Sequence, residues 1–176
     1  MSEYSQYTDL ANFPNLMIEY LMDNNEMIWK LLKYNESDAW SQSDLSKTQK
    51  SELIYNGSGE MSDYRVFMDI GQSDVWNHEI CVIKMAIHGI IPEHRVVGTL
   101  DMAFGVYSHY KINTLSNYKT RTDVIAEEFL KTFNGADIGG IGNMFFSRMG
   151  STGDRMINGG IIPFSGKWIV ISNKIA

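Results

Sequence analysis

Between residues 95 and 146 the hydrophobic period of the chain changes twice, and few architectures accept that order. Over residues 95–112 Val96, Leu100, Met102, Phe104, Val106, Tyr110 and Ile112 share one parity, while Arg95, Thr99, Asp101, His109 and Lys111 share the other. A period of two is the pattern of a strand with one buried face. The period then becomes helical: Ile125, Phe129 and Phe133 recur at four-residue steps beside Ala126 and Leu130, with Glu127, Glu128 and Lys131 opposite. This predicts an amphipathic helix that starts at Asn117 or Thr120 and ends at Asn134, where Gly135 is a natural stop. A Gly-rich link leads on to another apolar run.

The flanking segments complete an α+β reading. Residues 1–11 have no period and are expected to form an extended arm. Asn12 can cap a helix carrying Pro14, Leu16, Met17, Tyr20 and Leu21; Asp23-Asn24-Asn25 then breaks the pattern and offers a second cap, so two short helices or one kinked helix should end near Tyr34. Ser46 and Gln49 have the spacing of a capping box for a short helix through Ile54. Tyr64, Val66, Met68 and Ile70 alternate with Arg65, Phe67 and Asp69 as a first strand, and residues 71–77 form a loop. Cys81, Ile83, Met85 and Ile87 mark a second strand, which Pro92-Glu93-His94 turns back into the third as an antiparallel hairpin. Residues 144–149 and 167–172 read as two final strands around a loop rich in Gly, Ser and Asn. The expected fold is a small, mostly antiparallel sheet with a helix packed across it and N-terminal helices. One domain over 1–176 is expected, divided into the arm (1–11), a helical part (12–55) and the sheet with its helix (64–176).

Length and charge narrow the functional classes. A chain of 176 residues, 44% hydrophobic, suits one ordinary core. With 21 Asp and Glu against 15 Lys and Arg, the net charge is −6, which disfavours a nonspecific grip on nucleic-acid phosphates. An acidic wall can still line a passage through which DNA slides without sticking, because like charges repel the backbone. The single cysteine, Cys81, lies in a strand pattern, so it reads as a small buried hydrophobe in a reducing compartment. Neither a signal peptide nor a membrane span is expected from the apolar runs.

No conventional catalytic signature emerges, and no catalytic, cofactor-binding or metal-binding residue is assigned. His78, His88, His94 and His109 lack metal-ligand spacing. His109 and Asp101 share a parity, but they are eight residues apart on the expected polar face and read as solvated residues. Gly139-Gly140-Ile141-Gly142 follows a helix and precedes a strand, the reverse of a phosphate-cradling loop, so it reads as a turn with unusual backbone angles. Ser147, Ser151 and Ser165 sit in no nucleophile elbow.

Contact candidates are more numerous. Val75, Trp76, Ile90, Ile91, Met156 and Ile157 place apolar side chains in otherwise polar settings between strands, where subunit contacts would use them. Tyr110, Lys111, Tyr118 and Lys119, with Arg121, make a small basic-aromatic cluster that could touch a nucleic-acid backbone or a protein.

Several strings carry a likeness to a known group: Lys30-Leu31-Leu32-Lys33-Tyr34, Asp44-Leu45-Ser46, Glu52-Leu53-Ile54-Tyr55, residues 109–115, Arg121-Thr122-Asp123 and residues 133–142. Together with the element order they resemble neck proteins of tailed bacteriophages, in particular the tail-terminator and tail-completion fold. The resemblance covers most of the chain from Asn12 onward. It implies a nonenzymatic virion protein without cofactor, assembled in the host cytoplasm into a homo-oligomeric ring, usually a hexamer, between the connector or head-closure protein and the tail tube. Genome DNA would pass through the lumen without specific binding, and no membrane is involved. Terminator, head-closure ring and connector adaptor all fit. Residues 57–63, 89–94 and 150–160 would be docking loops. The rival readings are a small hydrolase or nucleotide-handling enzyme using His109, Asp101 or the 139–142 loop, and a monomeric binding module.

In either case Ile125, Phe129 and Phe133 should be core. Phe129→Asp is expected to abolish folding, because it buries an unpaired charge. Circular dichroism and gel filtration check this: a soluble, assembling Phe129→Asp protein would contradict the helix assignment.

Overall fold

A computed structural model describes residues 10–68, 78–94, 97–139, 142–152, 156–157, 160–161 and 164–175. Its helices are α1 (Phe13–Asn24), α2 (Glu26–Lys33), α3 (Lys47–Glu52), α4 (Tyr110–Asn113) and α5 (Arg121–Phe133). Its strands are β1 (Val66–Phe67), β2 (Cys81–His94), β3 (Val97–His109), β4 (Met144–Ser151), β5 (Met156–Ile157), β6 (Gly160–Ile161) and β7 (Phe164–Ile175). Five strands form a mixed sheet in the order β1-β2-β3-β7-β4, parallel only between β1 and β2. The α+β class expected from the sequence is the observed one.

The long helix sits where its period requires. Thr120 Oγ1 accepts the Asp123 N–H at 3.2 Å and opens α5; Gly135, at φ 87°, takes the left-handed turn that closes it. Ile125, Phe129 and Phe133 are fully buried, with the Phe129 and Phe133 rings 4.7 and 5.6 Å from Phe104 of β3. Leu100, Met102, Phe104 and Val106 line the same face of β3, as the even-parity reading expects.

The N-terminal helices join this core through Asn25. Its extended backbone breaks α1 from α2, and its Oδ1 accepts the Ile28 N–H at 2.9 Å. Its Nδ2 donates to Glu128 and Thr132 of α5, at 3.0 and 2.8 Å. One cap therefore ends one helix, starts another and ties both to a third. Ser46 and Gln49 form the expected capping box, but α3 stops at Glu52 because Ile54 pairs with Val66 in a parallel bridge. Asn12 precedes α1 without capping it: a 3-10 turn over Leu10–Asn12 runs into the helix, and Asn12 Oδ1 accepts from the Asn15 side chain instead. The arm at 1–9 lies outside the described residues.

Four strand readings need correction. The first strand is only Val66–Phe67, and Phe67 is buried rather than polar-facing, since it packs with Ile80, Val82 and Tyr107 on the second face of the sheet. Asp69, Ile70 and the loop at 71–77 lie outside the described residues. Pro92-Glu93-His94 is not the turn but the end of β2, where a register shift between Pro92 and His94 tolerates the missing N–H. Residues 89–94 are accordingly strand, not a docking loop; residues 95–96 lie outside the described residues. The third strand ends at His109, so Tyr110 and Ile112 leave the sheet and enter α4. The stretch between the final strands contains the β5–β6 ladder as well as loop.

Two buried polar residues fix these corners. Arg121 is fully buried and forms no ion pair with a carboxylate among the described residues. Its guanidinium donates to five carbonyls: Ile112 at 3.0 Å, Leu31 at 2.5 Å, Tyr34 at 2.7 Å, Asn35 at 3.2 Å and Glu36 at 3.0 Å. Burial lowers its pKa, but an arginine keeps its proton. His109 is also buried, contrary to its reading as a solvated residue; its Nδ1 accepts the Lys111 N–H at 3.3 Å, and its ring meets Tyr110 and Phe164.

Arg121→Met should cost about 4 kcal/mol or more, measured by urea denaturation, because it orphans several buried carbonyls at once. Burial depresses the His109 pKa below its ordinary 6.5, the nearby Lys111 adding to this and Glu79 opposing it. Its neutral form therefore stabilises the fold fully above pH 6.5, and that contribution is lost as pH falls through the folded-state pKa. His109→Gln should flatten the pH dependence of stability in this window. Parallel profiles for variant and wild type would contradict the buried, neutral imidazole.

Candidate functional site

The sheet ends on β4, and its outward side chains are unusual for an edge. Phe145, Phe146 and Met149 are 40 to 44% exposed, a density of apolar surface that edge strands normally avoid. The start of the strand is covered: Met144 exchanges backbone hydrogen bonds with Gly135 and Ala136, and Asn134 Oδ1 accepts the Phe146 N–H at 3.1 Å. Beyond Phe146, β4 pairs only with β7 among the described residues. A register shift between Phe146 and Arg148 splits the trio. Phe146 and Met149 lie on the α5 side with their partners Ile171 and Ile169, whereas Phe145 and Arg148 lie on the other face. Arg148 there reaches the Trp168 ring at 5.9 Å and His88 at 3.4 Å.

The far side of the sheet offers a second edge. β1 pairs β2 only at Ile83 and Lys84, so the distal half of β2 has no outer ladder partner among the described residues. Ile90 and Ile91 are exposed there, as expected, although they belong to a strand and not to a loop. As neighbours on one strand they point to opposite faces, Ile90 beside Leu100 and Ile91 beside Thr99. Met156 and Ile157 form β5, paired with Ile161 and Gly160. Val75 and Trp76 lie outside the described residues.

The basic-aromatic cluster is only partly real. Tyr110 is exposed, and Tyr118 is 94% exposed at φ 63°, a left-handed turn conformation costly for an aromatic residue. Trp40, not singled out from the sequence, joins this surface by donating from its indole to Ser116 Oγ at 3.2 Å. The positive charges, by contrast, are spent. Arg121 points inward, Lys111 pairs with Glu79, and Lys119 lies 4.0 Å from Glu127, which also binds Lys131 at 2.9 Å. The Lys111 bond holds the Glu79 carboxyl below its ordinary range and raises the lysine in turn. A nucleic-acid backbone would meet paired charges here, not free cations.

The candidate chemical groups do not converge. Asp101 accepts from Ser172 at 2.6 Å and His109 lies eight residues along the same strand, roughly 26 Å away at strand rise. The 139–142 link lies beyond the opposite end of α5, where Gly139 and Gly142 adopt the expected positive φ of 68° and 101°; Gly140 and Ile141 lie outside the described residues. Cys81 is buried and its thiol is pushed up to about 11 by desolvation, consistent with a core role. No group of three or more His, Cys, Asp or Glu among the described residues could hold a metal ion. No described helix is long and apolar enough to cross a membrane.

One concavity was not legible in the sequence. A cleft of about 250 Å³ opens between the first turn of α5 and the β4–β7 pair, with Asn113, Thr122, Asp123, Ser151, Ser165 and Lys167 in its walls. Those residues come from four separate elements, so no local spacing announces them.

Comparison with curated proteins gives no match. A family model, YomW, matches residues 25–158, from the Asn25 cap through β5. That family is phage-derived, of SPbeta-like prophage type, and points to a phage origin. With well over half of its length matched, from the helical corner that Arg121 holds to the exposed β4 edge, the chain belongs to the YomW family.

Proposed function

We propose that this chain is a nonenzymatic structural protein of the phage neck, a tail terminator or closely related head-to-tail joining ring. The observation that carries the reading is the pair of apolar edges on opposite sides of one rigid sheet: β4 with Phe145, Phe146 and Met149, and distal β2 with Ile90 and Ile91. A rotational ring is built from heterologous contacts, in which one surface of each subunit meets a different surface of the next. Two unlike, separated edges meet that requirement, whereas a twofold dimer would need only one. The phage-derived family supports the phage origin in this reading, and the resemblance to neck proteins suggests the station.

On this reading the ring is a hexamer, with the connector or head-closure protein on one side and tail-tube protein on the other. The end that bears Trp40, Tyr110 and Tyr118 is available for one of those axial contacts. The net charge of −6 and the paired lysines suit a lumen that lets DNA slide through without specific binding. The protein would be assembled in the host cytoplasm and retained in the virion.

Native mass spectrometry of the full chain, alone and mixed with connector and tail-tube proteins of its phage, should give a sixfold ring in at least one mixture. Phe145→Glu with Phe146→Glu should abolish the ring while leaving the subunit folded by circular dichroism, since both side chains are substantially exposed and neither belongs to the buried core. Imaging of intact virions should place the polypeptide in a collar between capsid and tail. A chain missing from mature particles, or monomeric in every mixture, would overturn the proposal.

A further inference from the structure

We infer that the β4 side of one subunit docks on the β1–β2 side of a second copy, with the Arg148 guanidinium taking a carboxylate from the 52–63 segment of that copy. The inference rests on the ring reading above and adds which sides meet and which charges select them.

Arg148 is an exposed cation whose charge the fold leaves uncompensated. Lys47, Lys111 and Lys131 each lie against a carboxylate, whereas Arg148 forms no ion pair among the described residues. Its neighbours are the Trp168 ring, 5.9 Å from the guanidinium carbon, and His88 Nε2, 3.4 Å from a guanidinium nitrogen. Gly150 lets the indole lie across β4, since a Cβ there would stand 2.6 Å from the Trp168 ring. The guanidinium is thus placed before a partner arrives, and less side-chain freedom is lost on docking. Most of its five N–H groups remain for a carboxylate, the group whose geometry an arginine matches with two parallel bonds.

The opposite side of the sheet carries the complementary charge. Glu52, Glu60 and Asp63 are exposed and form no ion pair among the described residues. The backbone ties their segment to β1, the Leu53 carbonyl accepting from the Arg65 and Val66 N–H groups at 2.8 and 3.0 Å. Arg65 offsets only one of the three charges, and its guanidinium donates inward to the Ser62 and Tyr64 carbonyls.

Strand register sets both complementarities at matching heights. Arg148 is level with Ala86 through Val170 and Ala103, and β1 ends opposite Lys84, two residues or roughly 7 Å away along the strand. Phe145 is level with Gly89 through Ser172 and Asp101, directly before the exposed Ile90. One sideways approach therefore brings apolar edge to apolar edge and guanidinium to carboxylate together. A second copy satisfies both at once, and the contact is heterologous, as a closed rotational ring requires.

The test is the association of charge-reversed full-length chains, followed by native mass spectrometry and sedimentation velocity in the mixture where the wild type forms its ring. Arg148→Glu should weaken association about tenfold or more, as should Glu52→Lys with Glu60→Lys, with each chain still folded by circular dichroism. Arg148→Gln serves if Arg148→Glu does not fold, and should weaken association about threefold or more. Arg148→Glu, Glu52→Lys and Glu60→Lys in one chain restore opposite charges across the contact and should recover association to within about threefold of wild type. Wild-type association in the variants of either side alone, or no recovery in the combined chain, would overturn the inference while leaving the ring reading in place. A wild-type chain that is monomeric in every mixture would overturn both.

Discussion

A single buried cation holds the architecture together. Arg121 stands at the first position of α5, and its guanidinium reaches the last turn of α2, the three residues beyond it and the end of α4. The carbonyls at a helix C-terminus have no partners within the helix and carry partial negative charge. Arginine satisfies several of them at once, because its planar fork offers five N–H donors in fixed directions. The cage therefore removes the need for a buried carboxylate and fixes the angle between the N-terminal helices and α5. Asn25 closes the same junction from the other end of α2 through Glu128 and Thr132.

With that corner set, the sheet acquires two unlike faces. The α5 face carries the continuous aliphatic and aromatic core; the second face carries a smaller cluster of Phe67, Ile80 and Val82, with Tyr55, Tyr64 and Tyr107 packed against it. Burial on both faces explains why β1 and the start of β2 are apolar at consecutive positions. It also leaves the lateral edges as the places where apolar side chains emerge, on β4 and on distal β2. Rigidity and exposed edges thus come from one arrangement, and that arrangement suits a protein that works by contact.

Long periodic segments were readable because a single physical rule governs them. The α5 stripe, the even face of β3, the Asn25 break and the Ser46–Gln49 box follow from spacing and capping chemistry, and each stands where that chemistry put it. Shorter features misled for identifiable reasons. His109 looked like a polar-face residue, but the chain turns there into α4 and the imidazole caps the turn. Pro92 looked like a turn, but a bulge absorbed it. Arg121 looked like part of a basic surface; no pattern in its neighbours shows that five carbonyls from distant segments surround it. Trp40 reads only as an apolar residue in a polar loop, because its partner, Ser116, is remote in sequence.

The amino-acid order alone determined the α+β class, the helix across the sheet and the residues of its core, because hydrophobic period and cap chemistry act within a few residues. Only the tertiary structure decided where Arg121 is buried, which strand edges carry exposed phenylalanines, and that Asn113, Asp123 and Lys167 share one cleft. Those outcomes depend on hydrogen bonds and strand registers between segments tens of residues apart, and chain proximity in space cannot be read from spacing along the chain.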